Sequence, residues 1–186
     1  GDGGDLIVSA TEFVEITGSD TAPPITGLFS NAFIDSTGNT GNLEITTPQL
    51  SLFQGSQISV TTFGSGNAED LTAKVENLTI RDGSQIATAS FAGGNGGNLT
   101  VIAEDSVEIA GFNNNNFNFP SGLFSSALDK GNAGNITLKV GNLLVRDSSQ
   151  IGVGTFADGN GGNLTVIAAD SVEIAGDGGL FSSTQG

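Results

Sequence analysis

The chain has 186 residues, among them 29 glycines and 12 phenylalanines, and it contains no Cys, His, Met, Trp or Tyr. Missing Cys and His exclude disulfides, thiolate chemistry, Ser-His-Asp and Cys-His catalysis and the commonest zinc ligand. Five basic against 20 acidic residues leave a net charge of −15, which argues against nucleic acid or anionic lipid as a partner, and no run approaches the roughly 18 apolar residues of a membrane span.

From the first residue the chain is repetitive. A Gly followed by Asp or Asn stands at Gly1, Gly38, Gly66, Gly94, Gly131 and Gly159, and five residues after each comes an apolar anchor: Leu6, Leu43, Leu71, Leu99, Ile136 and Leu164. The spacings are 37, 28, 28, 37 and 28 residues. The segment GNGGNLTVIAEDSVEIAG, Gly94 to Gly111, returns at Gly159 to Gly176 with one change, Glu104 against Ala169. Copies this close require one short piece of backbone to be built repeatedly, which predicts a stacked solenoid. About six coils of about 28 residues are expected, starting near residues 1, 38, 66, 94, 131 and 159, with residues 1 to 186 a single solenoid fragment of a longer repeat protein.

Each coil opens on a corner. Glycine reaches positive φ without steric cost, and Asn and Asp tolerate the left-handed region, so the Gly-Asn pairs are expected to turn there. Asp5, Asn42, Asp70, Asn98, Asn135 and Asn163 precede the anchors. Stacked in register, this column becomes a ladder of polar side chains bonding coil to coil.

Three alternating runs follow each corner. NLTVIA puts Leu99, Val101 and Ala103 on one face and Thr100 and Ile102 on the other; NITLKV repeats this with Ile136, Leu138 and Val140. A second run carries Val14 and Ile16, Leu50 and Leu52, Leu78 and Ile80, Val107 and Ile109, Leu143 and Val145, Val172 and Ile174. A third begins with GLF or SQI and carries Leu28, Ile58, Ile86, Leu123, Ile151 and Leu180. Period two marks half-buried strands, and the glycine and β-branched content disfavours helix. Three short strands per coil predict an all-β, three-sided tube, a right-handed parallel β-helix about 30 Å long.

Outward positions align as well. Thr72, Thr100, Thr137 and Thr165 form a column, interrupted by Glu44, beside Ser9, Thr46, Lys74, Ile102, Lys139 and Ile167. These long and charged neighbours spoil the flat threonine array that ice binding needs. Glu15, Glu108 and Glu173 occupy the outward slot of the second run in coils one, four and six, with Ser51, Thr79 and Leu144 in the others. Two coil types thereby keep like charges from stacking.

Candidates for chemistry are few. Arg81-Asp82 and Arg146-Asp147 are the charged pairs to test for carboxylate catalysis on a β-helix, but both sit at equivalent turns and no catalytic residue is assigned. Asn77, Asn98, Asn135 and Asn163 head N-x-T triplets, three of which are the asparagine column followed by the outward threonine and are generated by the repeat itself. Calcium is a candidate ligand at an acidic corner, with no cofactor otherwise expected.

The alternation of GNGGNLTVIA-DSVEIAG…GLFSS coils with GNAGNITLKVGNLLVRDSSQI coils resembles the repeat region of filamentous haemagglutinin-type exoproteins of the two-partner secretion class, especially large cyanobacterial ones. The resemblance covers essentially the whole chain. It implies a right-handed β-helix, export through an outer-membrane barrel transporter, and an extracellular or cell-surface role in adhesion as a non-catalytic shaft. The alternative is a carbohydrate-binding or carbohydrate-active β-helix.

Departures from the repeat are the functional candidates. SDTAPPIT separates Gly18 from Gly27 in the first coil and FNNNNFNFPS separates Gly111 from Gly122 in the fourth, where the sixth has only Asp177 and Gly178. Phe112, Phe117 and Phe119 are the candidate ligand-binding residues, an aromatic platform for a surface glycan or a neighbouring fibre. The expected partners are further solenoid copies or the rest of a longer chain, stacked end to end through open strand edges.

Overall fold

Alternating runs bury one face and expose the other, and each becomes a β-strand in the computed structural model, which describes residues 1–19, 26–113 and 119–185. The first two repeats each hold three strands: β1 (Leu6–Ser9), β2 (Phe13–Thr17) and β3 (Gly27–Ala32), then β4 (Leu43–Thr46), β5 (Gln49–Phe53) and β6 (Gln57–Thr62). Beyond them the first and second runs are one strand, as β7 (Leu71–Arg81), β9 (Leu99–Ala110), β11 (Ile136–Arg146) and β13 (Leu164–Ala175). After these come the third runs, β8 (Gln85–Ser90), β10 (Gly122–Ala127), β12 (Gln150–Thr155) and β14 (Gly179–Thr184). No helix occurs among the described residues.

All pairs of these strands are parallel, in two sheets. The first runs β1-β4-β7-β9-β11-β13, with β2 beside β5 and β5 beside β7; the second runs β3-β6-β8-β10-β12-β14. The chain is thus all-β with parallel sheets, the pairing a solenoid requires. The anchors meet as expected: Leu6 opposite Leu43, Leu43 opposite Leu71, Leu71 opposite Leu99, and Ile136 opposite both Leu99 and Leu164. The third runs align likewise, Leu28 on Ile58, Ile58 on Ile86, Leu123 on Ile86 and Ile151, and Ile151 on Leu180.

The expected three sides differ from this in one respect, because the first two runs share a sheet. They join through a bulge, where the register shifts between Val75 and Asn77 and between Val140 and Asn142. The repeats beginning at Gly94 and Gly159 carry two residues there, Glu104-Asp105 and Ala169-Asp170, against the single Glu76 or Gly141 of their neighbours. In the second repeat Pro48 breaks the strand, since it has no amide to donate. Its carbonyl instead accepts from both Glu76 and Asn77 at 2.9 Å.

The interior is aliphatic. Leu43, Ile45, Leu50, Leu52, Ile58, Leu71, Leu78 and Ile80 are completely buried, joined by Leu99, Ile109, Leu123, Ile136 and Ile151 from later repeats. At the turn into the second sheet, buried serines replace leucines and satisfy main-chain groups. Ser56 donates to the Ile16 carbonyl at 2.9 Å, Ser149 donates to that of Ile109 at 2.8 Å, and Ser121 accepts from the Gly83 amide at 2.9 Å.

The polar ladder forms, and in duplicate. Asp2 accepts from the Asn39 amide, Asn39 from Asn67, Asn67 from Asn95, Asn95 from Asn132 and Asn132 from Asn160, each at 2.9 Å. In the second column Asp5, Asn42, Asp70, Asn98 and Asn135 accept in turn from the amides of Asn42, Asp70, Asn98, Asn135 and Asn163 at 2.8–3.3 Å. Side chains thus carry the sheet's hydrogen bonding across a turn where the strands have stopped.

The role expected of the corner glycines is corrected. Gly38, Gly66, Gly94, Gly131 and Gly159 do not have positive φ; among the described glycines only Gly55, Gly83, Gly111 and Gly176 do, and they lie at the turn into the second sheet. A Cβ on Gly66, Gly94, Gly131 or Gly159 would fall on the carbonyl of the glycine one repeat below, so the column needs glycine for close stacking. The left-handed turns are Gln54-Gly55, Asp82-Gly83, Asp147-Ser148 and Gly176-Asp177, whose paired positive φ values suit the tight turn between strands.

Candidate functional site

Two features stand out from the repeating frame: a charged clamp on the first sheet and an uncharged aromatic trough on the second. The clamp follows from register. Arg81 and Arg146 lie opposite Ala110 from either side, and Glu108, two residues earlier on the same face, receives both. Arg81 Nη2 lies 2.7 Å from Glu108 Oε2 and Arg146 Nη2 lies 2.9 Å from Oε1. Burial raises the Glu108 pKa, but the hydrogen bonds and charges of Arg81 and Arg146 outweigh it and hold the carboxyl below its usual range. The hydrogen bond to Glu108 in turn raises the Arg146 pKa against partial desolvation.

The arginines of the Arg-Asp pairs are therefore engaged in tying three repeats together. Arg146 also contacts its neighbour Asp147, while Asp82 and Asp147 hold left-handed turn positions. Glu108 is flanked by Thr79 and Leu144, so the expected separation of glutamates is present. On the neighbouring outward columns Thr72, Thr100, Thr137 and Thr165 align in register, and Lys74 pairs with Glu44 at 2.7 Å. Among the described residues no three acidic side chains gather closely enough to hold a metal ion.

On the second sheet, outward residues of successive strands read Phe29, Ser59, Ala87, Phe124, Gly152 and Phe181. Large rings alternate with small side chains. Each GLF strand also leaves room for its ring, because a Cβ on Gly27, Gly122 or Gly179 would meet the ring of Phe29, Phe124 or Phe181. The QI strands reverse this choice, with Gln57, Gln85 or Gln150 before small Ser59, Ala87 or Gly152. Depressions form between the rings.

A second aromatic row borders the sheet just beyond its strands. The amides of Phe63, Phe91, Leu128 and Phe156 each bond to the preceding repeat, at Ala32, Thr62, Ser90 and Ala127, which places Phe33, Phe63, Phe91, Leu128 and Phe156 in one column. Phe63 and Phe91 stack with centroids 4.9 Å apart and planes 20° off parallel. The column is open to solvent, with Phe33 72% and Phe156 58% exposed. The trough between these rows has a volume of about 890 Å³, and among the described residues no charged side chain lines it.

The fourth-repeat insertion supplies part of the opposite wall. Phe112 and Pro120 form an antiparallel bridge, the Asn113 amide donates to the Phe119 carbonyl at 2.9 Å, and the Ser121 amide donates to the Gly111 carbonyl at 2.9 Å. Gln85 Nε2 donates to the Pro120 carbonyl at 3.0 Å, which ties the hairpin stem to the sheet. Of the three candidate phenylalanines, Phe119 lines the trough, Phe112 is exposed outside its lining, and Phe117 lies outside the described residues. Most of the first insertion, residues 20–25, lies outside them too.

Sequence reasoning singled out the insertion and passed over the repeat's own aromatics. The missed signal was the outward column of the third run and the Phe that follows it, in SNAF, VTTF, TASF and VGTF. No family model, curated protein or solved structure matches the chain.

Proposed function

We propose that this chain is a non-catalytic shaft segment of a secreted or cell-surface adhesin of the filamentous haemagglutinin type, wound as about six right-handed coils whose first and second runs share one sheet and whose third runs form the other. The observation that carries this reading is the pair of unbroken side-chain ladders from Asp2 to Asn160 and from Asp5 to Asn163. Such ladders repeat one interaction at every coil and suit a rod that extends by adding coils. Further coils or the rest of a longer chain are then the natural end-to-end partners. The net charge of −15 favours a rod that stays dispersed. Antibodies against this chain should label intact producing cells or the medium; labelling only after lysis would refute the surface assignment.

The carbohydrate-binding alternative is favoured by a separate observation, the uncharged aromatic trough. A rod and a binding face are compatible roles.

A further inference from the structure

We propose that the trough on the second sheet binds a neutral oligosaccharide, laid along the stacking direction with its sugar rings against phenylalanine. This rests on the carbohydrate-binding reading and is independent of the shaft. A recess lies between Phe29 and Phe124, where Ser59 and Ala87 on the two intervening strands make a floor of small side chains. Three strand spacings, about 14 Å, separate the two rings, enough length for more than one sugar ring. The stacked Phe63 and Phe91 stand along one side, with the Gln85-tethered Phe119-Pro120 stem among the residues lining the trough.

The chemistry selects the ligand. Among the described residues none of the acidic or basic side chains lines the trough, although acidic residues border the corners elsewhere. No cationic group lines the trough to pair with a carboxylate or sulfate, and the net field repels anions. An acyl chain would fit the rings but would cover the amides of Gln57 and Gln150 and the hydroxyls of Ser59 and Thr61 without partners. Sugar rings present apolar C–H faces and a rim of hydroxyls, matching aromatic walls interleaved with amides and hydroxyls. A second copy of this chain fits less well, because two molecules of charge −15 repel and a flat apposed sheet leaves the recess unfilled.

The test is a printed array of neutral and acidic glycans probed with the intact chain, followed by calorimetric titration of the neutral oligosaccharides it retains. Saturable, salt-insensitive binding of neutral glycans is expected. Phe91→Ala, at a ring already 47% exposed, and Ala87→Phe, which fills the recess, should each weaken binding about tenfold or more with an unchanged circular dichroism spectrum. Phe63→Ala provides the same test should Ala87→Phe fold poorly. Binding confined to acidic glycans, or neutral binding that these variants leave intact, overturns the trough assignment but not the carbohydrate-binding reading. No binding to any glycan overturns both. Dimerisation in sedimentation velocity that Phe91→Ala abolishes, without glycan binding, gives the face to a second copy and also overturns the proposal.

Discussion

Glycine is required at specific positions for two different reasons, and substitution separates them from glycine that is merely present. At Gly94 the space for a Cβ is taken by the Gly66 carbonyl, whereas at Gly93 nothing lies within 4 Å. Gly94→Ala should therefore destabilise the fold by about 3 kcal/mol, read as a lower denaturant midpoint. Gly93→Ala, in the same turn, should be neutral or stabilise by up to about 1 kcal/mol. Equal effects would show that stacking does not constrain the column. Glu108 makes the electrostatic prediction at this scale. Its folded pKa is depressed, so its contribution is present above the unfolded carboxyl pKa and is lost as pH falls through the folded value. Glu108→Gln should cost about 1 kcal/mol at neutral pH, discounted for arginines that are 36–42% exposed. The difference in melting temperature from the parent should close as the solution is acidified through the carboxyl range, and a pH-independent difference would point to packing instead.

At the scale of strands and turns, the repeat tolerates insertion where the chain leaves the second run. The fourth repeat places its hairpin between Gly111 and Ser121, and the sixth makes the same connection with Asp177 alone between Gly176 and Gly178. Replacing residues 112–120 by a single Asp should leave the melting temperature within a few degrees, because Ser121, whose hydroxyl accepts from Gly83, is kept. Removing the stem that lines the trough should weaken glycan binding at the same time. A large loss of stability would mean that the hairpin is part of the core. The bulge follows a similar economy: one extra residue in the repeats at Gly94 and Gly159 is absorbed where Val75 passes to Asn77 and Val140 to Asn142, leaving the flanking apolar positions aligned.

For the whole molecule, stability in a stacked repeat is approximately a sum of repeat and neighbour terms. Inserting a second copy of residues 94–158 keeps each junction of the kind already present, since Asp158 precedes a GN pair in either case. The longest dimension from small-angle scattering should grow by about 10 Å, two strand spacings, with the cross-section unchanged and the melting temperature raised. Thickening or doubling of the particle would contradict growth along the stacking axis.

Residue order alone carried the repeat boundaries, the six anchors, the inward alternation of all three runs and the polar ladder, because each depends on local periodicity repeated at 28 or 37 residues. It also located the hairpin, since an interruption is visible against near-identical copies. It misread the corner glycines, whose constraint comes from a carbonyl one repeat away and not from their own φ. The Arg81-Glu108-Arg146 clamp joins side chains 27 and 38 residues apart through a diagonal register. The trough likewise required the third runs to be laid side by side, for Phe29 and Phe124 become two walls only when Ser59 and Ala87 fall between them. Contacts within a strand repeat along the chain and can be read from it. A surface made across strands exists only after stacking has set their register.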